Sequence, residues 1–517
     1  MSSEQESRMQ TPDALSAVGY RQRLDRSVGQ FAAFAAGVSL VSILTGVFLL
    51  FALGYGTAGP GYWWTWLVVF AGQLTVALIF AELAARYPIA GSVYQWTKIV
   101  GGRTAGWLAG WVVLGGTVVG CASIALAAQV VLPEISSVFQ FVGDGSGEHD
   151  LSTNAVILGS VFILLALLAN SLGVRALTRV NSTGVAIELV AAVVLIVLFF
   201  FAAKRGPAVV TETFDLGAGH QWGYFGALLV AAIASAYVII GFDTASSLAE
   251  ETRDPERNAP RAVIRAVVAS GVIGGLLILG ALMAAKDLGA EEMSTIGLPF
   301  VVKDVLGDVI GTILLIGVMI AISVCLMAVM AQGTRMAFAM ARDRGLPASA
   351  LLARLSARSS TPIAPNVVIA VLAIALLAIN IRQAQIIAIV TSLAAVMFYL
   401  GYLAVTTSVL LRRVRGAWPP REDAPRERFS LGRWGLPINV VAVLYGAAMS
   451  INLLWPRGEI YNPVAPFHWY FKYGGVLFVA LFSGLGLAYY LLVVRHRSGV
   501  LEGHEAEPAR EPAGAAA

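Results

Sequence analysis

Two carboxylates in this sequence stand where charge is costly, and one follows directly on a helix-weakening glycine. Asp243 closes a run, residues 221–242, that holds no Asp, Glu, Lys or Arg, and Gly241 and Phe242 come directly before it. Glycine weakens a helix, and an aspartate at membrane depth is expensive unless paired or hydrated. Both fit a helix that breaks at Gly241 and Phe242, with the Asp243 side chain capping the second half-helix. As a cap, Asp243 is structural; facing a cavity, it would also draw a cationic group or a proton. Glu188 is the one charge within residues 181–203. Such a carboxyl can carry a coupling proton, or it can hydrogen-bond the freed carbonyls of a broken helix.

A second break is expected near the middle of the first apolar run, at Ser39-Leu-Val-Ser-Ile-Leu-Thr-Gly46. There Gly46 weakens the helix, and Ser42 or Thr45 can satisfy the freed backbone groups. The alternative is a plain packing face, because small residues let membrane helices approach closely. An unwound turn exposes amide N–H groups that hold a carboxylate and carbonyls that accept from an ammonium. Two such turns facing each other form a receptor for a zwitterion. Tyr237 and Phe242 could close over it as aromatic gates, or simply pack.

The elements that must position these residues follow from composition. The 517 residues are 58% hydrophobic and 13% charged, and long uncharged runs recur. A chain this apolar is a polytopic helical membrane protein, since each run can cross a hydrocarbon core of about 30 Å. A β-barrel would alternate apolar and polar residues instead. Twelve spans are expected, at about 28–55, 62–87, 104–132, 153–172, 181–203, 222–249, 261–285, 307–341, 364–381, 384–411, 435–455 and 471–494. With both termini cytoplasmic, 28 of the 35 Lys and Arg fall on the inner side, as cationic residues should. Residues 1–27 and 496–517 read as polar cytoplasmic tails, with no signal peptide before the first span. The breaks fall in the first and sixth spans, the openers of two sets of five. Matching discontinuities in two halves mark the binding site of a secondary transporter. The expected organisation is a first inverted repeat at 28–204, a second at 205–415, and two further helices at 416–495.

Other chemistry is thin. Cys121 and Cys325 both lie in apolar runs, and the five histidines lack metal-ligand spacing, so neither a disulfide framework, a metal site nor a cofactor is expected. No His/Asp/Ser cluster suggests an enzyme, and no nucleic-acid partner is expected. Two polar patches, Glu250 to Arg261 and Arg335 to Pro347, suggest a gating network or solvated loop charge. Glu82 is expected to contact an arginine of an inner loop. Arginine far outnumbers lysine, which suggests a GC-rich bacterial genome and a bacterial cytoplasmic membrane.

Three stretches carry a resemblance. Phe80-Ala-Glu-Leu-Ala-Ala-Arg-Tyr-Pro-Ile-Ala-Gly-Ser-Val-Tyr-Gln-Trp96, Gly241-Phe-Asp-Thr-Ala-Ser-Ser-Leu-Ala-Glu-Glu-Thr-Arg-Asp-Pro-Glu-Arg-Asn-Ala-Pro-Arg-Ala262 and Ala339-Met-Ala-Arg-Asp-Arg-Gly-Leu-Pro347 resemble the amino acid–polyamine–organocation superfamily. The wording is closest to its amino acid/choline branch, which includes GABA permeases. The resemblance implies a five-plus-five inverted-repeat core with discontinuous helices 1 and 6. It also implies that Ser42, Thr45 and Gly46 meet a substrate carboxylate, and that Tyr237 through Ile240 and Gly241 offer carbonyls to its amino group. Asp243 matches an acidic position of the helix 6 motif. Several relatives have a Lys where this chain has Glu188, in a place that sodium fills in sodium-coupled cousins; the carboxylate keeps a proton open and does not exclude sodium. The expected activity is import of an amino acid or related amine, such as GABA, by proton-coupled alternating access. An exchanger, a choline-type transporter and a non-transporting receptor are the alternatives. A choline-type cation would need an aromatic cage, for which Tyr237, Phe242, Tyr399 and Tyr402 are candidates.

Overall fold

The computed structural model describes residues 29–89, 91–147, 149–247, 252, 254–356, 361–379, 381–382, 386–420, 428–461 and 468–497. The expected N-terminal tail, the C-terminal tail from 498 onward and the patch residues Glu250 and Glu251 lie outside them. Among the described residues the fold is all helical, with no strand element. Nine helical stretches are long and apolar enough to cross a membrane; the first, Gln30–Arg86, contains two of the expected spans, and two shorter apolar helices, Gly223–Val238 and Ile363–Ile379, coincide with two more. The chain is thus a multi-pass membrane protein. Leu164, Leu168, Leu481 and Leu492 are among many large apolar side chains left exposed on the outermost helices. Such a surface is stable against lipid and not against water.

The first expected span is two helices, α1 (Gln30–Val41) and α2 (Ile43–Ala58), followed by α3 (Trp63–Arg86). Next come α4 (Ser92–Gly101), α5 (Arg103–Ile135), α6 (Asp150–Ser171) and α7 (Val174–Phe201). The sixth expected span is also divided, into α8 (Gly223–Val238) and the single turn α9 (Thr244–Ser247). Then follow α10 (Pro255–Ala284), α11 (Leu298–Leu306), α12 (Asp308–Arg342), α13 (Ile363–Ile379), α14 (Ile386–Val414), α15 (Gly435–Leu454) and α16 (Gly474–Tyr489). Two of these were not expected. α4 is a short amphipathic helix beyond the end of α3, and α11 is another between α10 and α12.

The divided helices lie at the centre. α2 runs along α8, α1 packs on α7, α10 and α12, and α5 sits against both α12 and α14. Close approach explains the small residues at the crossing. A Cβ on Gly46 would stand 2.7 Å from Val238 Cγ2, so only glycine lets α2 meet α8 at this depth. Gly46 lies inside α2 and not at the break, so of its two expected roles, helix breaker or packing residue, it takes the second. Gly241 has φ +90°, and a Cβ there would stand 1.6 Å from Leu40 Cδ2. Both its backbone conformation and its closeness to α1 require glycine.

Buried polar contacts tie the bundle together at both ends. At the arginine-rich end, Glu82 is fully buried and accepts from Arg413 Nη2 at 2.5 Å, Trp418 Nε1 at 2.9 Å and the Leu431 amide at 3.2 Å. The expected arginine contact is therefore present, but it comes from the last turn of α14. Asp343, from the second polar patch, pairs with Lys98 and accepts from the Tyr94 hydroxyl at 2.5 Å, tying α12 to α4. From the first patch, Glu256 is paired with Arg428 at 2.7 Å. At the opposite end, Tyr55, Tyr62 and Trp66 are buried together with Phe51, and the Tyr55 hydroxyl donates to the Leu288 carbonyl at 2.6 Å.

Candidate functional site

The break in the first span is a single residue. Ser42 adopts φ 31°, ψ 89°, a left-handed conformation rarely taken by a residue with a side chain. Its amide still donates to the Val38 carbonyl at 2.7 Å, and its carbonyl accepts from the Gly46 amide at 3.0 Å. What holds it is Glu188 of α7, fully buried. Glu188 Oε1 accepts from the Ser42 hydroxyl at 2.9 Å and from the Leu44 amide at 3.3 Å. The carboxylate thus caps the N-terminus of α2, where the helix dipole favours negative charge. This differs from the expected structural role, because Glu188 holds amides of the broken helix and not its carbonyls. Glu188 Oε2 has no hydrogen-bond partner among the described residues. Ser42 Oγ also lies 2.6 Å from Thr45 Oγ1. Since the Ser42 proton goes to Glu188, Thr45 is the donor in that pair, and a hydroxyl relay runs Thr45 to Ser42 to Glu188.

The break in the sixth span falls where the sequence places it. α8 ends at Val238, Gly241 takes its positive φ, and Phe242 and Asp243 form a turn into α9. Tyr402 of α14 completes the break: its hydroxyl accepts from the Gly241 amide at 2.8 Å and donates to Asp243 Oδ1 at 2.6 Å. In an unbroken helix the Gly241 amide would serve the Tyr237 carbonyl, so that carbonyl loses its helical donor. The Asp243 side chain does not cap α9 as expected. Its Oδ2 accepts from the Ser92 hydroxyl at 2.8 Å and from Gln332 Nε2 at 3.0 Å, while the Asp243 backbone carbonyl accepts from the Ser246 amide. Asp243 therefore joins the sixth span to α4, α12 and α14 at once. Three neutral donors satisfy it, and it has no ion pair among the described residues.

Between the two breaks lies a cavity of about 20 Å³, room for one water. Of the expected site residues, Ser42, Thr45, Gly46, Tyr237 and Ile240 line it; Glu188, Gly241, Phe242 and Asp243 do not. The other walls are mostly apolar: Leu40 and Val41 of α1, Ile124 of α5, Val329 of α12, and Ala394 and Phe398 of α14. Cys325 also lines it, with Sγ 3.5 Å from the Leu40 carbonyl. Tyr237 faces the cavity, its hydroxyl fixed by the Ser123 hydroxyl at 2.8 Å. Phe242 instead packs on Phe80 and Tyr402, with ring centroids 5.7 and 5.1 Å away. Tyr399 pairs with Tyr445 at 2.8 Å, and Tyr402 is held by Asp243. The four candidate cage aromatics therefore do not converge; Tyr237 and Phe398 are the aromatic rings on the cavity.

Sequence reasoning missed Phe398, Cys325, Ser92 and Gln332. Gln332, an amide in the apolar run of α12, could have been found as a costly intramembrane polar group. The others give no local signal.

Two broken helices meeting at a small cavity, inside an apolar bundle, are the arrangement of a membrane transporter. The chain belongs to the amino acid permease family, whose model matches residues 28–482. It is 27% identical to the amino-acid permease BAT1 of Arabidopsis thaliana, covering 93% of this chain and 94% of that one. To the BAT1 homolog of Oryza sativa it is 26% identical over 85% of this chain and 86% of that one. To the branched-chain amino acid permease BcaP of Bacillus subtilis it is 25% identical over 68% and 74%. The protein is thus an amino acid transporter and not an enzyme.

Proposed function

We propose that the protein imports a neutral amino acid with an apolar side chain, by alternating access and with a coupling proton. The observation that carries this is the cavity between the breaks. Its apolar side-chain walls are Leu40, Val41, Ile124, Ile240, Val329 and Phe398, its polar ones the neutral Ser42, Thr45, Tyr237 and Cys325, and neither Glu188 nor Asp243 lines it. A basic amino acid, a polyamine or choline would bring a second or permanent cation to walls with no anion to meet it, at a large desolvation cost. GABA would lack the side chain that those walls suit. The Bacillus relative's name, branched-chain amino acid permease, agrees with that chemistry. The Ser42 and Thr45 hydroxyls suit the substrate carboxylate once protonation of Glu188 releases the hydrogen bond that Ser42 now gives it, and the Tyr237 carbonyl suits its ammonium.

Since the cavity has room for one water only, substrate needs a wider state, reached by parting the ties at one end. The Asp243 junction is the inner tie in this reading and does not touch substrate. Glu188 is the proton site, reached from the cavity by the Thr45 and Ser42 hydroxyls. Twelve spans, a five-plus-five inverted repeat and cytoplasmic termini in a bacterial cytoplasmic membrane complete the proposal, supported by the paired breaks and the arginine bias. Uptake of a labelled panel by proteoliposomes tests it, with leucine, valine, lysine, GABA, putrescine and choline, in sodium-free buffer with and without an inward proton gradient. Gradient-driven accumulation of leucine or valine is expected. Preference for lysine, putrescine or choline would overturn the substrate class, uptake only against preloaded substrate would make it an exchanger, and binding without uptake would make it a receptor.

A further inference from the structure

We propose that the start of α10 binds an anionic phospholipid of the arginine-rich, cytoplasmic leaflet. A cavity of about 540 Å³ lies there, lined by Glu256, Arg257, Arg261, Arg265 and Arg428, with Pro260, Ile264 and Phe429. Four arginines thus face one glutamate. Glu256 is taken up by Arg428, through Nε at 3.0 Å and Nη2 at 2.7 Å. Arg261 and Arg265 have no hydrogen-bond or ion-pair partner among the described residues, and both are exposed. They stand one turn apart with Arg257 one turn before them, so the three form a stripe on one face of the helix. Guanidinium groups in this arrangement suit a phosphate, which they bind bidentately.

The same face turns apolar as α10 continues. Val268, Val272 and Leu276 are exposed at successive turns beyond Arg265. From Arg265 to Leu276 the helix rises about 16 Å, at ~1.5 Å per residue. That is the depth of one leaflet of a core about 30 Å thick. A headgroup in the arginine cavity would lay its acyl chain along this stripe, whereas a soluble phosphate would use only the cavity. The apolar continuation, with Ile264 and Phe429 at the cavity wall, is what selects the lipid. The inference does not depend on which amino acid is carried.

The test is a titration of phosphatidylglycerol into the purified full chain in phosphatidylcholine-containing micelles, read by resistance to heat. Phosphatidylglycerol is expected to stabilise the protein saturably, and added phosphatidylcholine is not. In the double variant Arg261→Gln/Arg265→Gln the half-saturating lipid fraction should rise about 30-fold, from ~1 kcal/mol per arginine at a membrane surface. Arg261→Lys/Arg265→Lys should keep most of the response. If the glutamine pair does not fold, wild type decides alone, because its response must weaken as salt is raised. Equal stabilisation by phosphatidylcholine, a response insensitive to salt, or an unchanged glutamine variant would overturn the site. Full stabilisation by glycerol 1-phosphate at matched headgroup concentration would overturn the lipid as its occupant.

Discussion

Gly241→Ala is the substitution whose consequence is best fixed by the geometry. Two separate costs fall on one methyl group. At φ +90° a residue with a Cβ is strained, by about 1–2 kcal/mol. The new Cβ would also stand 1.6 Å from Leu40 Cδ2 and 2.8 Å from Leu40 Cγ. Leu40 is 5% exposed and cannot swing into solvent. Overpacking of this kind costs about 1–3 kcal/mol. The expected total is about 2–5 kcal/mol, measured by equilibrium unfolding in mixed micelles. Leu40→Ala separates the two costs, because it removes Cγ and Cδ2 and leaves Cβ at 3.3 Å. In that background Gly241→Ala should cost only the backbone strain, so the two substitutions should couple by about 1–3 kcal/mol. If Gly241→Ala costs the same in both backgrounds, α1 does not lie against the sixth-span break as described. A cost below about 0.5 kcal/mol in wild type would mean that the positive φ is not there at all.

Three further outcomes are expected. Asp243→Asn replaces an acceptor oxygen by an NH₂ facing the Ser92 and Gln332 donors, or the Tyr402 and Gly241 side if flipped; losing at least one buried hydrogen bond should cost about 1–3 kcal/mol. Uptake should then fall at least tenfold while membrane insertion holds, and wild-type uptake would show that the junction does not control the cycle. Phe398→Ala removes the largest wholly apolar side chain on the cavity wall, and should shift preference from valine-sized toward larger apolar substrates in a competition assay; an unchanged ranking would place the substrate elsewhere. Ser42→Ala cuts the hydroxyl relay but leaves the Leu44 amide on Glu188, so proton-driven accumulation should suffer more than exchange, measured as the ratio of the two; equal loss of both would remove the relay from the coupling path.

The membrane spans were legible because charge bounds them. Asp308 and Arg342 end α12, and Arg103 opens α5, at almost the expected positions. The sixth-span break was legible too, since Gly241 and Asp243 are both anomalous in an apolar helix. The first-span break was displaced for a physical reason. Gly46 carries the residue type of a breaker but serves close approach to Val238, whereas the residue that turns left-handed is a serine. Ser42 is held there by Glu188, 146 residues away in the chain, and no local pattern encodes a tie of that length. The same limit applies to Asp243. Its position was readable, but its partners come from α4, α12 and α14, so its role as a junction could not be. Of those, α4 escaped notice because it is a short amphipathic helix in a polar-rich connection.

The placement of Glu188 sets a problem for binding that only a proton can solve cheaply. The amides at the start of α2 are the natural donors for a substrate carboxylate, yet Glu188 already accepts from the Leu44 amide and the Ser42 hydroxyl. A carboxylate arriving at Thr45 would stand within a few ångströms of a second one. At separations of ~5–8 Å and an effective dielectric of ~20, two like charges cost about 2–3 kcal/mol. The described residues place no lysine or arginine against Glu188 to offset this; the titratable group that faces it from α12 is the Cys325 thiol. Neutralising Glu188 removes the repulsion, so a proton and the substrate should each favour the other's binding by the same factor. That factor is roughly 30- to 200-fold for the energies above. Substrate affinity should therefore strengthen as pH falls through the range in which Glu188 takes up its proton, and Glu188→Gln should hold it high and independent of pH. Binding of a labelled neutral amino acid to the purified protein across pH 5–9 makes the comparison without needing a gradient. An affinity equally pH-dependent in Glu188→Gln would remove Glu188 from the coupling. An affinity flat with pH in both proteins would mean that the substrate carboxylate does not approach the first-span break.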